Sequence, residues 1–284
     1  MFKKIFFAAA LLLASELIAK PVVIASIAPV EYLAKAVGGD KIEVQSLAKG
    51  DVHSYEPKPN DMKAVAKARI FIAAGLEFEE AWIPRFKASA KNLVVVKSDA
   101  KIAKLKEERG EQAEHDEKHE AHADPHVWLN PMLAITMARN ISDALIDMDK
   151  ANKDFYLENF QKLMNDLLAF DESAKESLAG LKNRKFVVYH PAWGYFAAHY
   201  DLEQISIERS GKEPKIDEMA STLKMIKDEN IKVIFADPNR SQKSAQILAS
   251  HTGAKVELLD PLGYNLLENL KIAVGAIKDA NSPK

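Results

Sequence analysis

From residue 20 onward the chain alternates between two patterns. Short, nearly continuous apolar runs give way to longer stretches in which apolar residues recur every three or four positions. In the first half the runs Val22–Ile27, Ile42–Leu47, Arg69–Ala73 and Leu93–Val96 predict strands. Helical periods fall between them at Val30–Val37, Asp61–Ala68 and Glu80–Ala90. The second half repeats the rhythm, with strands at Phe186–Tyr189, Gln204–Ile207, Val233–Ala236 and Val256–Leu259 and helices at Ala192–His199, Ile216–Glu229 and Gln242–Thr252. Strands that are apolar almost throughout are buried on both faces, as in parallel sheets covered by helices on either side. The expected fold is therefore α/β, with two lobes that each hold a four-stranded parallel sheet flanked by helices. The halves share element order and no evident sequence identity.

Between the halves lies the longest periodic stretch. Tyr156, Phe160, Leu163, Leu167, Phe170, Ala174, Leu178 and Leu181 recur at steps of three and four, and no proline or glycine intervenes before Gly180. A helix of roughly 30 residues is about 45 Å long, enough to cross a domain and carry the chain from one lobe to the other. It holds too few heptads for a coiled coil. A helix over Pro131–Met148 precedes it, with Ala134, Met137, Ile141, Ala144 and Met148 on one stripe. From Ala100 to Asp124 the pattern lapses: Lys, Glu, Asp and His dominate, no large apolar residue follows Leu105, and Gly110 breaks any helix. That stretch reads as a mobile polar excursion. The organisation expected is a signal at 1–19, a first lobe at 20–149 containing the polar loop 106–124, a linking helix at 150–182 and a second lobe at 183–284.

Composition narrows the class. The 284 residues are 48% hydrophobic and carry a formal charge of −2, which argues against nucleic acid as partner. Lys3 and Lys4, the apolar run Ile5–Leu13 and the segment Leu17-Ile18-Ala19 read as a secretory signal cleaved after Ala19. A membrane anchor is the rival, but Ser15 and Glu16 interrupt the run well short of the ~20 residues a span needs. Losing two lysines and one glutamate takes the mature chain to a net charge of about −3. The chain has no cysteine, so neither disulfides nor lipid attachment at a cleavage-site cysteine is available. No later stretch is apolar and long enough to cross a bilayer. The expectation is a soluble monomer in a Gram-negative periplasm, with no membrane insertion after cleavage.

Candidate chemistry lies at strand ends. His53, His126, His190 and Asp260 each fall just beyond a predicted strand or on the connection leading from it, where open α/β sheets bind their ligands. His126 sits in Asp124-Pro125-His126-Val127-Trp128-Leu129-Asn130-Pro131, where Asn130 can cap the following helix and Pro131 suits its first position. Three imidazoles and a carboxylate are a borderline-soft, four-coordinate set that suits Zn²⁺. Taken singly, His53 and His126 read equally well as ordinary loop histidines. Asp260, before Pro261, reads as a turn former, and Asp237-Pro238 is its direct rival. His190 is harder to dismiss, because a polar side chain ending a buried strand needs a partner. Trp128 and Trp193 are candidates for a dry wall or for plain core, and Asp124 or Glu56 for acceptors of a ligand histidine's second N–H. His199 and His251 read as structural or surface residues.

Four segments raise this further: DVHSYEPKPND at 51–61, DPHVWLNP at 124–131, YHPAWGYF at 189–196 and LDPLG at 259–263. In order and content they resemble the signature segments of the periplasmic solute-binding proteins of ABC importers for zinc and manganese, the zinc-uptake (ZnuA-type) group in particular. The resemblance covers essentially the whole mature chain, including AGLEFEEAW and DPNRSQKSAQILA. It implies a two-lobed α/β fold with a rigid linking helix, a metal ion bound in the cleft, and a membrane permease as partner. It places the three histidine ligands on His53, His126 and His190 and an acidic fourth on Asp260. Manganese-type relatives typically carry glutamate at the third position, so His190 favours zinc over the Mn²⁺ alternative. Some zinc-type members have a glutamate just before the first histidine; Val52 stands there, which leaves Asp260 or water for the fourth position. His115, His119 and His122 match a histidine-rich loop of zinc-type relatives, and equally a solvated charged loop. A zinc hydrolase, with Asp260 as base beside a metal-bound water, is the rival from another class, although no compact catalytic motif is present. For a role in cell adhesion the sequence carries no signature.

Overall fold

The computed structural model describes residues 19–50, 52–106, 123–208 and 216–281. The expected signal at 1–19 therefore lies almost wholly outside the described residues, as do His115, His119 and His122. The first lobe runs β1 (Val22–Ala25), α1 (Ala28–Gly38), β2 (Glu43–Ser46), α2 (Pro59–Val65), β3 (Ile70–Ala73), α3 (Glu77–Ser89), β4 (Val94–Lys97) and α4 (Pro131–Met148). The helix α5 (Lys153–Ala179) leads into the second, which contains β5 (Lys185–Val188), α6 (Gly194–His199), β6 (Glu203–Ser206), α7 (Ile216–Asp228), β7 (Val233–Ala236), α8 (Lys243–Thr252), β8 (Lys255–Leu258) and α9 (Leu266–Asn281). Each lobe has one four-stranded sheet, ordered β2-β1-β3-β4 and β6-β5-β7-β8, and every pairing is parallel. The two halves thus share topology as well as element order.

The period of two along the strands divides the packing. In β1 and β3, Val23, Ala25, Ile70 and Ile72 face one cluster, while Ile24, Phe71 and Ala73 face another with Phe86 of α3. In β5 and β7, Phe186, Val188, Val233 and Phe235 join the first of these clusters. Val187, Ile234 and Ala236 face a third. The inner faces of both sheets therefore share one continuous core, filled by α4, α5 and α9. The outer faces have separate, smaller cores.

Helix α5 is 27 residues long, about 40 Å at 1.5 Å per residue. Tyr156, Phe160, Leu163, Leu167, Phe170, Ala174 and Leu178 are buried along it, the stripe its period predicts. A large apolar side chain fully buried there contributes roughly 1.5–3 kcal/mol. The stripe meets α1 and α4 on one side and α9 on the other, so the rod is built into the core of both lobes. The N-cap of α4 is as expected: Asn130 Oδ1 accepts from Met132 N at 2.9 Å and Leu133 N at 3.3 Å.

Some boundaries differ from the pattern. Helix α2 begins at Pro59 instead of Asp61, because Asp61 sits at its third position and caps it, accepting from Lys58 N at 2.7 Å. The polar excursion is narrower than 106–124: Lys106 pairs with Ala123 in an antiparallel bridge, and Asp124 N donates to Leu105 O at 2.9 Å. Helix α9 has no counterpart among the expected elements. Leu266, Leu270, Ala273, Val274 and Ile277 give it a buried face, and Asn265 Oδ1 accepts from Glu268 N at 3.2 Å at its start. Asn265 followed by Glu268 before that period is the sequence signal for it.

Candidate metal centre

The parallel sheets set out the donor groups at their carboxyl ends. His190 follows β5 by two residues. In β5 and β6 Val188 is aligned with Ser206, and the pairing runs on past the strands: Ile207 N donates to Val188 O at 3.0 Å and Glu208 N to Tyr189 O at 2.8 Å. The register therefore puts Glu208 beside His190. On the other side of β5, Val188 is aligned with Phe235, which brings the turn after β7, Asp237 to Arg240, to the same ring. His53 leaves β2 on a loop whose neighbour Val52 is buried in the inner core. Past His53 the loop is tied down by Tyr55, whose hydroxyl donates to Asp61 Oδ2 at 2.9 Å and packs edge-on against Phe78. His126 stands at the head of a single 3₁₀ turn, Val127–Leu129, ahead of α4.

These three histidines meet. One ring nitrogen from each of His53, His126 and His190 lies within 4.8 Å of the others. The ring centroids are 5.7 Å apart for His53 and His126, 5.0 Å for His53 and His190, and 5.3 Å for His126 and His190. His53 Nε2 and His190 Nε2 are 3.2 Å apart. Two nitrogens ~2.0–2.1 Å from one tetrahedral zinc stand about 3.3–3.4 Å apart, so this pair already has the spacing of two ligands. His126 and His190 are 4% and 7% exposed, whereas His53 is open to solvent. The rings border a cavity of about 290 Å³ shared with Pro125, Pro191 and Gly194.

Each buried ring has a carboxylate behind it. Asp124 Oδ1 accepts from the backbone N–H of His126 at 2.9 Å and contacts its Nδ1 at 2.8 Å. An N–H on Nδ1 leaves Nε2 with a free lone pair, the usual arrangement of a ligating histidine. Glu208 Oε2 lies 3.2 Å from His190 Nδ1 and 3.0 Å from Arg240 Nη1, and that nitrogen is itself 2.6 Å from His190 Nδ1. Glu56 is at the exposed surface. Glu208 and Arg240 did not stand out as sequence; the available signal is that Glu208 ends an apolar run, as His190 does.

Asp260 stands outside the three-histidine group. Its Oδ1 accepts from Asn239 Nδ2 at 2.8 Å and from Leu262 N at 2.9 Å, the bonds of a turn former. Asn239 also bonds through its N and Nδ2 to Asp237 Oδ1 at 2.7 and 3.1 Å. Burial is the main cause that raises the Asp237 carboxyl above the ordinary range, and the charge of Asp260 adds to it, against the Asn239 bonds and Arg240. Trp128 and Trp193 are both core: Trp128 is fully buried with its ring 5.3 Å from that of His126, and Trp193 is 2% exposed.

The wall behind the rings also joins the lobes. Trp128 Nε1 donates to Pro261 O at 2.8 Å. Tyr195 of α6 donates from its hydroxyl to Asp124 O at 2.7 Å and accepts there from Leu105 N at 2.8 Å. Burial first, with the charges of Asp124 and Asp99, pushes that phenol up to about 12 although the Leu105 bond acts the other way, so it remains a donor. His199 instead bonds Asp171 of α5 at 2.6 Å, the structural one of the two roles expected for it.

Comparison with known proteins agrees with this architecture. Residues 23–280 match the family model described as zinc-uptake complex component A, periplasmic. The high-affinity zinc uptake system protein ZnuA of Bacillus subtilis is 30% identical over 279 residues, covering 91% of this chain and 86% of that protein. A crystal structure of ZnuA superposes with a TM-score of 0.86 at 34% identity, covering 93% of this chain and all of that one. A mutant of the laminin-binding adhesin Lmb of Streptococcus agalactiae superposes with a TM-score of 0.81 at 27% identity, covering 92% and 99%. Among the described residues no helix is long and apolar enough to cross a membrane. With a match over nearly its whole length and a shared two-lobed fold, this chain belongs to the zinc-uptake complex component A family, solute-binding proteins of metal ABC importers and not enzymes.

Proposed function

We propose that the protein captures Zn²⁺ outside the cytoplasm on His53, His126 and His190 and hands it to the membrane permease of an ABC importer. The observation that carries this reading is the meeting of three imidazoles, two from the first lobe and one from the second, with ligand nitrogens within 4.8 Å. The group contains nitrogen donors and no carboxylate, which favours zinc over manganese in the usual divalent order. Water or Asp260 completes the coordination. In Asp260 the bonds from Asn239 and Leu262 N both fall on Oδ1, which leaves Oδ2 as the oxygen to ligate. The signal is removed after Ala19, and the mature chain works as a periplasmic monomer.

The test is zinc competition with a chelating dye for the wild type and for His190→Ala, with manganese run in parallel. The expected outcome is a loss of at least about tenfold in zinc affinity for the variant, with manganese bound more weakly than zinc by the wild type. Equal zinc affinity in wild type and variant would remove His190 from the site. Tighter binding of manganese than of zinc would overturn the choice of cargo.

A further inference from the structure

Among the described residues, two groups at His190 Nδ1 make opposite demands on it. Glu208 Oε2, at 3.2 Å, can only accept a hydrogen bond when ionised, whereas Arg240 Nη1, at 2.6 Å, can only donate one. A ring that gives Nε2 to a cation keeps its proton on Nδ1 and must donate it, and Glu208 is the partner suited to receive it. Arg240 Nη1 is also bonded to that same oxygen at 3.0 Å, so imidazole and guanidinium share one carboxylate oxygen. The guanidinium further sets a permanent positive charge against a ring that has to hold a cation. His126 differs: there Asp124 Oδ1 takes its second bond from the backbone N–H of His126 itself. Arg240 is held in place by its own turn, in which its N–H donates to Asp237 O at 3.2 Å. Asn239 of the same turn grips Asp260. One turn therefore restrains both second-lobe candidates for the metal.

We propose that Arg240 is a positioning residue that acts against the cation: by donating to His190 Nδ1 and sharing Glu208 Oε2, it lowers the affinity of the site and speeds zinc release. Capture requires Nη1 to withdraw from Nδ1 while keeping Glu208, and its return helps expel the ion. This rests on His190 being a ligand, as proposed above.

The experiment measures zinc affinity by chelator competition and release by stopped flow into excess chelator. The proteins are the wild type, Arg240→Gln, Arg240→Met, Glu208→Gln, Glu208→Gln with Arg240→Gln, and His190→Ala, each with a zinc-free melting temperature. Both Arg240 variants are expected to bind zinc about tenfold more tightly and release it correspondingly more slowly, and Glu208→Gln to bind 10- to 100-fold more weakly. The double variant should bind zinc more tightly than Glu208→Gln alone, because losing Arg240 removes its direct donation to His190 Nδ1 whatever side chain stands at position 208. Unchanged or weaker binding in both Arg240 variants, with His190→Ala still impaired, overturns this inference and leaves the zinc site standing. An unaffected His190→Ala overturns both. A purely structural Arg240 would lower the zinc-free melting temperature and weaken binding, the opposite sign to the one expected.

Discussion

The charge behind His126 offers the sharpest single perturbation. Asp124 is 6% exposed and spends one oxygen on both the backbone N–H and the Nδ1 of His126, at 2.9 and 2.8 Å. Asp124→Asn is nearly isosteric, and its amide oxygen can accept the same two bonds, so the main loss is the negative charge. A cation on His126 Nε2 would sit about 7 Å from that carboxylate, given a metal–nitrogen bond of ~2.0–2.1 Å. One negative and two positive charges at that distance attract by about 1 kcal/mol in water and about 5 kcal/mol at an effective dielectric constant of 20. Removal of a carboxylate behind a ligand histidine typically weakens metal binding 10- to 100-fold, about 1.4–2.7 kcal/mol, which lies inside that range. The assay is zinc competition at fixed pH and ionic strength, with the zinc-free melting temperature as a check on folding. Asp124→Asn should fold as the wild type does and bind zinc at least about tenfold more weakly. A dissociation constant within about twofold of the wild type would show that the charge does not support the metal, and would refute the reasoning.

Three further outcomes follow from other parts of the molecule. Burial raises the Glu79 carboxyl to about 7 against the pull of the bonds from Ala74 N, Gly75 N and Leu76 N. A raised value means that its contribution is fully present below the ordinary value near 4.5 and is lost as pH rises to about 7. Melting curves of wild type and Glu79→Gln should therefore move against the wild type across that window, and a constant difference between them would refute the shift. His199→Ala leaves Asp171 Oδ1 without its 2.6 Å partner in the seam between α5 and α6. It should cost about 1–3 kcal/mol in urea unfolding while zinc affinity stays unchanged; an altered affinity would place His199 in the metal pathway. Trp128→Phe removes the N–H that Pro261 O accepts and strands that carbonyl at the lobe interface. A loss of about 1–3 kcal/mol is expected in the same assay, and unchanged stability would rule this bond out as a tie between lobes.

Residue pattern carries the local grammar of this chain. A period of two or near-continuous apolar character reports a strand's own burial, and a period of three to four reports a helix's own stripe. Both sheets, the linking rod and the Asn130 cap were therefore legible without coordinates. The candidate histidines were legible because a polar side chain at the end of a buried run stands out against it. Helix α9 carries its own signal in Asn265, Glu268 and the stripe beginning at Leu266. Which of these groups meet is set by the packing of the two lobes. His53 and His190 are 137 residues apart, and nothing local carries the 3.2 Å between their nitrogens. The register of β5 on β6 puts Glu208 behind His190, the turn after β7 delivers Arg240, and Asn239 of that turn bonds Asp260. Such contacts depend on how strand ends from two lobes converge over a shared core. Residue pattern records each group's burial, and only the assembled sheets fix its neighbours.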